Sequence, residues 1–506
     1  MLIHLNAWSR LLILALTLLN SIFIMAQSFE QATNTPFVDL VNGAAAFADI
    51  DNDGDNDLLV TGDRSEWGLD QPENYIAKLY KNDGLGNFTE VMGTPFIGVD
   101  IAHLAFADVD GDNDQDVLIV GRDHSYYLNT SLYLNDGEGN FSVDPSTPFP
   151  NIYAGEVAFE DLDGDDDLDV IMSGSTNPIG EERITSLYIN DGFGGFVENE
   201  STPFIGLFDS SLKLSDFDLD GDKDILLLGT SQASGPFTGA YLNDGSGNFT
   251  VAENIDFVAM SSGDINFSDI DNDGDEDLLL SGTTDGGLTP YTGLFRSDGT
   301  GNFIEEQNTS LVDLKWVSSK FCDFNNDGRD DLIMTGKSGN DSNIFSGENI
   351  ETNLYTNVGN GIFMEVEDHN LPKIDFASLA CADVNGDDLN DLFMIGSFGE
   401  PTGLAQLHIN TTIISSINEL SEENSLDFNI YPNPNGDGIL NIDYSDNTSS
   451  NSRLSIVNSL GKIINSYVVN KNKVPSINIS HLESGSYFIT LESGSSITTK
   501  KLLVIR

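Results

Sequence analysis

Between two apolar runs the chain reads Phe47-Ala48-Asp49-Ile50-Asp51-Asn52-Asp53-Gly54-Asp55-Asn56-Asp57-Leu58-Leu59-Val60, an aspartate-rich turn with carboxylates at alternate positions. Oxygen ligands at positions 1, 3 and 5, a backbone carbonyl at 7 and a carboxylate at 9 suit a hard ion that takes about six to eight oxygens, which is calcium. The set predicted here is Asp49, Asp51, Asp53, Asp55 and Asp57, with Asp55 serving through its main chain.

The same loop returns as Asp108, Asp110, Asp112, Asp114, Asp116; as Asp161, Asp163, Asp165, Asp167, Asp169; as Asp216, Asp218, Asp220, Asp222, Asp224; and as Asp269, Asp271, Asp273, Asp275, Asp277. Two further copies, Asp323, Asn325, Asp327, Arg329, Asp331 and Asp383, Asn385, Asp387, Leu389, Asp391, have an amide at position 3 and are expected to be weaker. Position 6 must turn sharply, and it is Gly54, Asn113, Asp166, Gly221, Gly274, Gly328 or Asp388, residue types that tolerate a left-handed backbone. An EF-hand would need a bidentate Glu at position 12 and flanking helices, whereas position 12 of the first copy is Val60, inside a strand-like run. Without an ion, the carboxylates converging in each copy would repel one another, which argues against plain solvated turns.

The copies begin 59, 53, 55, 53, 54 and 60 residues apart, the mark of an array of supersecondary units. Each is followed by a second motif, first seen as Leu79-Tyr80-Lys81-Asn82-Asp83-Gly84-Leu85-Gly86-Asn87-Phe88, in which Asn-Asp-Gly between apolar segments signals a hairpin. Each repeat therefore holds four short strands, in the first case Phe47 to Asp49, Leu58 to Gly62, Ala77 to Lys81 and Asn87 to Val91. Seven such repeats predict an all-β fold, a seven-bladed β-propeller closed into a ring. The seventh repeat ends at Asn410 without its last strand, and Gln27-Ser28-Phe29-Glu30, matched to Asn87-Phe88-Thr89-Glu90, is expected to supply it.

The pattern Phe-x-Asp-x-[Asp/Asn]-x-Asp-x-x-x-Asp-Leu resembles the FG-GAP and related VCBS repeats over about residues 27–410. That family builds the integrin α-chain propeller and several bacterial and fungal sugar-binding or sugar-cleaving propellers. The resemblance implies a propeller with up to seven structural calcium ions, and leaves function open because one fold hosts unrelated activities.

Flanking segments read differently. Residues 1–26 carry Arg10 and an apolar run from Leu11 to Met25 before Ala26, which predicts a secretory signal too short to span a membrane. Residues 411–425 form a polar linker, and 426–506 a small all-β sandwich. Its Tyr431-Pro432-Asn433-Pro434 opening and its ending Lys500-Lys501-Leu502-Leu503-Val504-Ile505-Arg506 resemble the C-terminal sorting domain of the type IX secretion system of Bacteroidota. The resemblance implies the type IX machinery as a partner and a secreted or outer-membrane cell-surface location. An ordinary Ig-like adhesion module is the alternative.

The net charge is −61, and residues 426–506 hold seven basic and six acidic residues, so nearly all of it lies in the repeats. Such a surface repels nucleic acid and anionic membranes. Cys322 and Cys381 sit at positions of opposite parity in neighbouring inner strands, which favours two buried thiols over a disulfide.

By alternation the acidic loops and the hairpins share one face, and the remaining, variable loops form the other. The variable loops carry Trp67, Tyr75, Tyr126, Tyr127, Phe237, Tyr291, Phe345 and Phe398, rings suited to a glycan or protein ligand. His103, His124, His369 and His408 are scattered, and no nucleophile elbow, metalloprotease or phosphate-loop motif is present. The expected function is a secreted, calcium-binding adhesion or binding propeller; the alternatives are a polysaccharide lyase or hydrolase on the variable face, and a structural surface component.

Overall fold

The computed structural model describes residues 27–64, 72–340 apart from 254 and 256, 347–398 and 403–412, and then 428–431, 439–444, 452–458, 463–469, 476–482, 485–493 and 496–504. The predicted signal, most of the predicted linker, Trp67 and Phe345 lie outside the described residues. Among those residues the chain is all-β, with one 3-10 turn at Pro72–Asn74. It divides into two compact units, Met1–Ile414 and Ser415–Arg506.

In the first unit each acidic loop joins two antiparallel strands, because apolar runs on either side of the turn can pair only by folding back. The first sheet runs Val41–Ala48, Asp57–Asp63, Tyr75–Lys81 and Thr89–Glu90, in that spatial order. The pattern recurs with inner strands Asp100–Ala107, Val157–Glu160, Leu207–Ser215, Ser261–Ser268, Lys315–Cys322 and Asp375–Ala382. In the last sheet the outer position is taken by Phe29–Gln31, paired antiparallel with Gly403–Asn410. Phe29 faces Asn410 there as Phe141 faces Asn135 in the second sheet, so Phe29 is the counterpart of Phe88. The expected alignment was therefore one residue out, because the contact that recurs from blade to blade is made by the ring.

The cores lie between neighbouring sheets. Seven apolar clusters fill the seven interfaces; the one holding Leu40, Leu58, Val60, Phe393 and Ile395 joins the first sheet to the last and closes the ring. Aromatic pairs recur in five interfaces, where Phe37, Phe96, Phe149, Phe204 and Phe257 meet Tyr80, Tyr133, Tyr188, Tyr241 and Phe295 edge-on at 4.9–5.3 Å. Each such pair contributes about 0.5–1.5 kcal/mol beyond its buried area.

Every inner strand bends near its start, where a non-glycine residue takes a left-handed backbone: Asn42, Ile101, Ala154, Asp209, Ser262, Trp316 and Phe376, with φ of 46–52°. Such bulges re-aim a strand, here at the mouth of the central channel. A cavity of about 250 Å3 at that mouth is lined by Asn42, Ile101, Ala154, Asp209 and Phe376 with their neighbours.

Cys322 and Cys381 form a disulfide, which corrects the expectation of free thiols. Opposite parity separates side chains on one sheet, but facing sheets present opposite faces to a shared interface, so across it opposite parity is what a bridge needs. Both cysteines lie in the cluster between the sixth and seventh sheets.

The second unit has two sheets, one from Phe428–Tyr431, Ile439–Tyr444 and Ser476–Asn478, the other from Ser452–Asn458, Ile463–Val469, Gly485–Ser493 and Ser496–Val504. They share a core of Leu440, Ile442, Leu454, Ile456, Ile489, Leu491 and Leu502.

Candidate functional site

Each acidic loop is a tight turn built on its own first aspartate. In the first copy the Asp53 and Gly54 N–H groups donate to the two Asp49 carboxylate oxygens at 3.1 and 3.0 Å. Position 6 is left-handed in all seven copies, with φ of +96°, 69°, 71°, +105°, +101°, +80° and 65° at Gly54, Asn113, Asp166, Gly221, Gly274, Gly328 and Asp388. That turn gathers the carboxylates. Oxygens of Asp49, Asp51 and Asp53 lie within 4.8 Å of one another, as do those of Asp108, Asp110, Asp116; Asp161, Asp163, Asp169; Asp216, Asp218, Asp224; and Asp269, Asp271, Asp273.

The position-3 oxygens carry the sharpest signal. Oδ1 of Asp51, Asp110, Asp163, Asp218, Asp271 and Asn325 is buried and has no hydrogen-bond partner. A buried acceptor left unmatched costs about 1–3 kcal/mol, and one recurring at position 3 of six loops fits a cation-binding turn. No ion is present, but the donor set is all oxygen and fits calcium.

The position-9 carboxylates do a second job. All seven are buried, at 0–2 % exposure. Each accepts the main-chain N–H of the following hairpin, from Asn82, Asn135, Asn190, Asn243, Ser297, Asn357 and Asn410, at 2.7–2.9 Å. Burial raises their pKa values, to about 6 at Asp57 and Asp169, about 7 at Asp116, Asp224, Asp277 and Asp391, and about 8 at Asp331. The position-7 side chain instead points at the hairpin: a Cβ on Gly84, where φ is +71°, would meet Asp55 at 2.5 Å, so the hairpin needs glycine there.

The hairpin asparagines have a role the sequence reading missed. Their Nδ2 groups donate across the blade interface to the position-2 carbonyl of the preceding loop: Asn82 to Val384, Asn135 to Ile50, Asn190 to Val109, Asn243 to Leu162, Asn357 to Ile270 and Asn410 to Phe324, at 2.7–2.9 Å. Each loop is thus bolted to its neighbour, Asn82 closing the circle from the first blade to the seventh. The only sequence signal was that Asn recurs where other turn residues would also do.

On the opposite face the predicted rings divide. Tyr75 is buried and Phe237 and Tyr291 half-buried, while Tyr126, Tyr127 and Phe398 are 49, 73 and 42 % exposed. Arg122 pairs with Asp100 through Nη2 at 2.8 Å and through Nε at 3.1 Å. Its guanidinium lies 4.9 Å from the Tyr126 ring and 5.7 Å from that of Tyr153; Tyr153 meets Phe208 at 5.7 Å, and Arg183 lies 5.6 Å from Phe208. Tyr126 reaches this position from a left-handed backbone, φ 62°. The result is a guanidinium–aromatic stack across blades two to four beside the channel mouth.

Inside the ring, inner strands two to six carry a polar belt that the sequence did not disclose. Glu156 accepts from Lys213 Nζ, from Ser211 Oγ at 3.0 Å and from Leu212 N at 2.8 Å, with His103 Nε2 3.4 Å away. Burial opposes its ionisation, but Lys213 and His103 prevail and hold its carboxyl well below the usual range. Asp264 accepts from the Ser319 N–H at 2.7 Å. His124 lies 6.2 Å from Tyr75, ring to ring, on the variable face, and His408 is buried, so the histidines do not form one site.

The model of the FG-GAP-like repeat matches residues 49–119, 108–172, 216–280, 269–334 and 323–394, more than half of the chain. The model of the secretion system C-terminal sorting domain matches residues 429–505. No match is found among curated proteins. Similar solved structures include the extracellular domain of a putative hybrid two-component system from B. thetaiotaomicron, 10% identical with a TM-score of 0.41, covering 94% of this chain and 57% of that one. A six-bladed fungal lectin from Aleuria aurantia, described for its fucose recognition, is 9% identical with a TM-score of 0.37, over 66% of this chain and 99% of the lectin. The Hadza microbial sialidase Hz136 is 10% identical with a TM-score of 0.34, over 74% and 66%. Likeness at these values carries no argument about ligand or activity.

Proposed function

The chain belongs to the FG-GAP-like repeat family and ends in a secretion sorting domain, and from that premise we propose that it is a calcium-stabilised propeller whose variable face binds a glycan or protein ligand. The sorting domain directs it through the type IX system to the cell surface or beyond. Calcium occupies acidic loops on one face and holds the ring rigid; the other face presents the ligand site.

The observation that carries the reading is the difference between the faces. One repeats the same loop in every blade, whereas the other gathers exposed Tyr126 and Tyr127, stacked Arg122 and the channel mouth beside Asp209 in one sector. Flat rings beside polar groups suit a sugar or an aromatic-rich protein edge. The test is a glycan array probed with the calcium-loaded protein, followed by titration of any hit against Tyr126→Ala and Tyr127→Ala. Retained binding by the double variant removes this face from consideration.

A second reading, a polysaccharide lyase or hydrolase, draws on the same cluster, since Arg122, Tyr153, Asp100 and His124 bring basic, phenolic and acidic groups together. Two features count against it. Arg122 is engaged in a two-point ion pair with Asp100, and the Tyr153 hydroxyl donates to Pro178 O at 2.9 Å, with burial raising its pKa against the pull of Arg122. Release of reducing ends or unsaturated products from an acidic polysaccharide would establish the enzyme.

A further inference from the structure

The acidic loops do not offer equal room for an ion. In loop one the Lys81 ammonium sits 2.7 Å from Asp51 Oδ2, the position-3 carboxylate, and donates to Glu138 O of the next blade at 2.9 Å. In loop five the Arg296 guanidinium occupies the same place: it pairs with Asp271, lies 3.7 Å from Asp277 Oδ2, and donates to Asn360 O of the next blade. Both residues immediately precede the hairpin Asn or Ser, and the equivalent positions in blades two, three and four are Leu134, Ile189 and Leu242, which carry no charge. Loop six has a third device, with Arg329 on Asp327 and the Gln27 amide on Asp331.

The carboxylates respond. In loops two, three and four the gathered trio comprises positions 1, 3 and 9, including the fully buried position-9 group, whereas in loops one and five it comprises positions 1, 3 and 5. Oδ1 is orphaned at position 3 in loops one to five alike, but the other oxygen of Asp51 and Asp271 is ion-paired with Lys81 and Arg296, whereas among the described residues Asp110, Asp163 and Asp218 of loops two to four make no ion pair. Only 21 of 506 residues are basic, so placing several of them on acidic loops is not a matter of abundance.

We propose that Lys81 and Arg296, with Arg329 in loop six, are built-in cations that stand in for the divalent ion, and that calcium is taken by the arc of loops two, three and four. The inference rests on the calcium reading of the loops. A fixed ammonium or guanidinium neutralises the position-3 carboxylate without an ion, and a divalent cation must displace it against like charge, which weakens binding by at least about tenfold. The arc lies beneath the Arg122–Tyr153–Phe208–Arg183 stack on the opposite face, so calcium governs the sector that carries the candidate ligand site, while the built-in cations serve blades one, five and six and the disulfide ties blade six to blade seven.

The test is isothermal titration of the full-length protein with calcium. Asp110→Asn, Asp163→Asn and Asp218→Asn are each expected to remove one equivalent, Asp51→Asn and Asp271→Asn none, and Lys81→Met with Arg296→Met to add two, with Lys81→Arg as the charge-preserving control that adds none. Hydrogen exchange after chelation reads the same question without a variant, and is expected to accelerate in blades two to four first. Loss of an equivalent from Asp51→Asn or Asp271→Asn, or uniform acceleration around the ring, overturns the inference and leaves calcium binding intact. No calcium uptake by the unaltered protein overturns both.

Discussion

At the scale of single residues, the position-9 aspartates are expected to couple calcium uptake to pH. In the ion-free fold their pKa values stand at about 6 to 8, against about 3.9 in an unfolded chain. The folded state then binds protons more tightly than the unfolded one, so this contribution is complete below about pH 4 and is lost as pH rises through those raised values. Calcium needs the ionised form, and a site at a hundredfold excess over its Kd contributes about 2.7 kcal/mol. Chelator is therefore expected to lower the melting temperature strongly at pH 8 and little at pH 5, and equal shifts at both would contradict the cage. The hairpin asparagines are the other residue-scale device. Asn190→Ala leaves the Val109 and Leu168 carbonyls without the side-chain donor they now share, and is expected to cost about 1–3 kcal/mol, read by denaturant titration. Ser297→Asn, which restores the missing clamp in blade five, is expected to stabilise.

At the scale of elements, the ring is closed by a strand and by a covalent bond in the same region. Phe29–Gln31 completes the last sheet, and Phe29 meets Phe324 of the sixth blade at 5.4 Å. Deleting residues 27–37 exposes an unpaired edge on Gly403–Asn410, which invites association; a truncated protein that stays monomeric with an unchanged melt would show the closure to be dispensable. The disulfide spans 59 residues of chain and joins inner strands already packed together. Replacing Cys322 and Cys381 by Ser is expected to cost about 2–4 kcal/mol, seen as a lower melting temperature that added reductant does not lower further.

At the scale of the whole molecule, charge and export are separate matters carried by separate units. The excess of acidic groups lies in the repeats, and a surface of that sign repels polyanions. The C-terminal unit has its own core. A chain ending after Ser425, expressed in a bacterium with a working type IX pathway, is expected to remain in the periplasm and still take up calcium. Its arrival at the surface would transfer the sorting role elsewhere.

Local periodic features were legible in the sequence because each is decided within about ten neighbouring residues: the aspartate spacing, the left-handed sixth position, the hairpin and the four-strand repeat. Counting repeats and noting the missing strand also gave the ring, since a strand without a partner must find one. What required the tertiary structure lies between blades. The asparagine clamps, the Cys322–Cys381 bond, the polar belt around Glu156 and the stack through Arg122 all join residues from different repeats, and an inter-sheet contact depends on which faces meet. Parity along one strand predicts the wrong answer there, as the disulfide shows. The same limit hid Lys81 and Arg296: in the sequence each is a charge at a strand end, and only the fold brings it onto a carboxylate some 25 to 30 residues upstream in the chain.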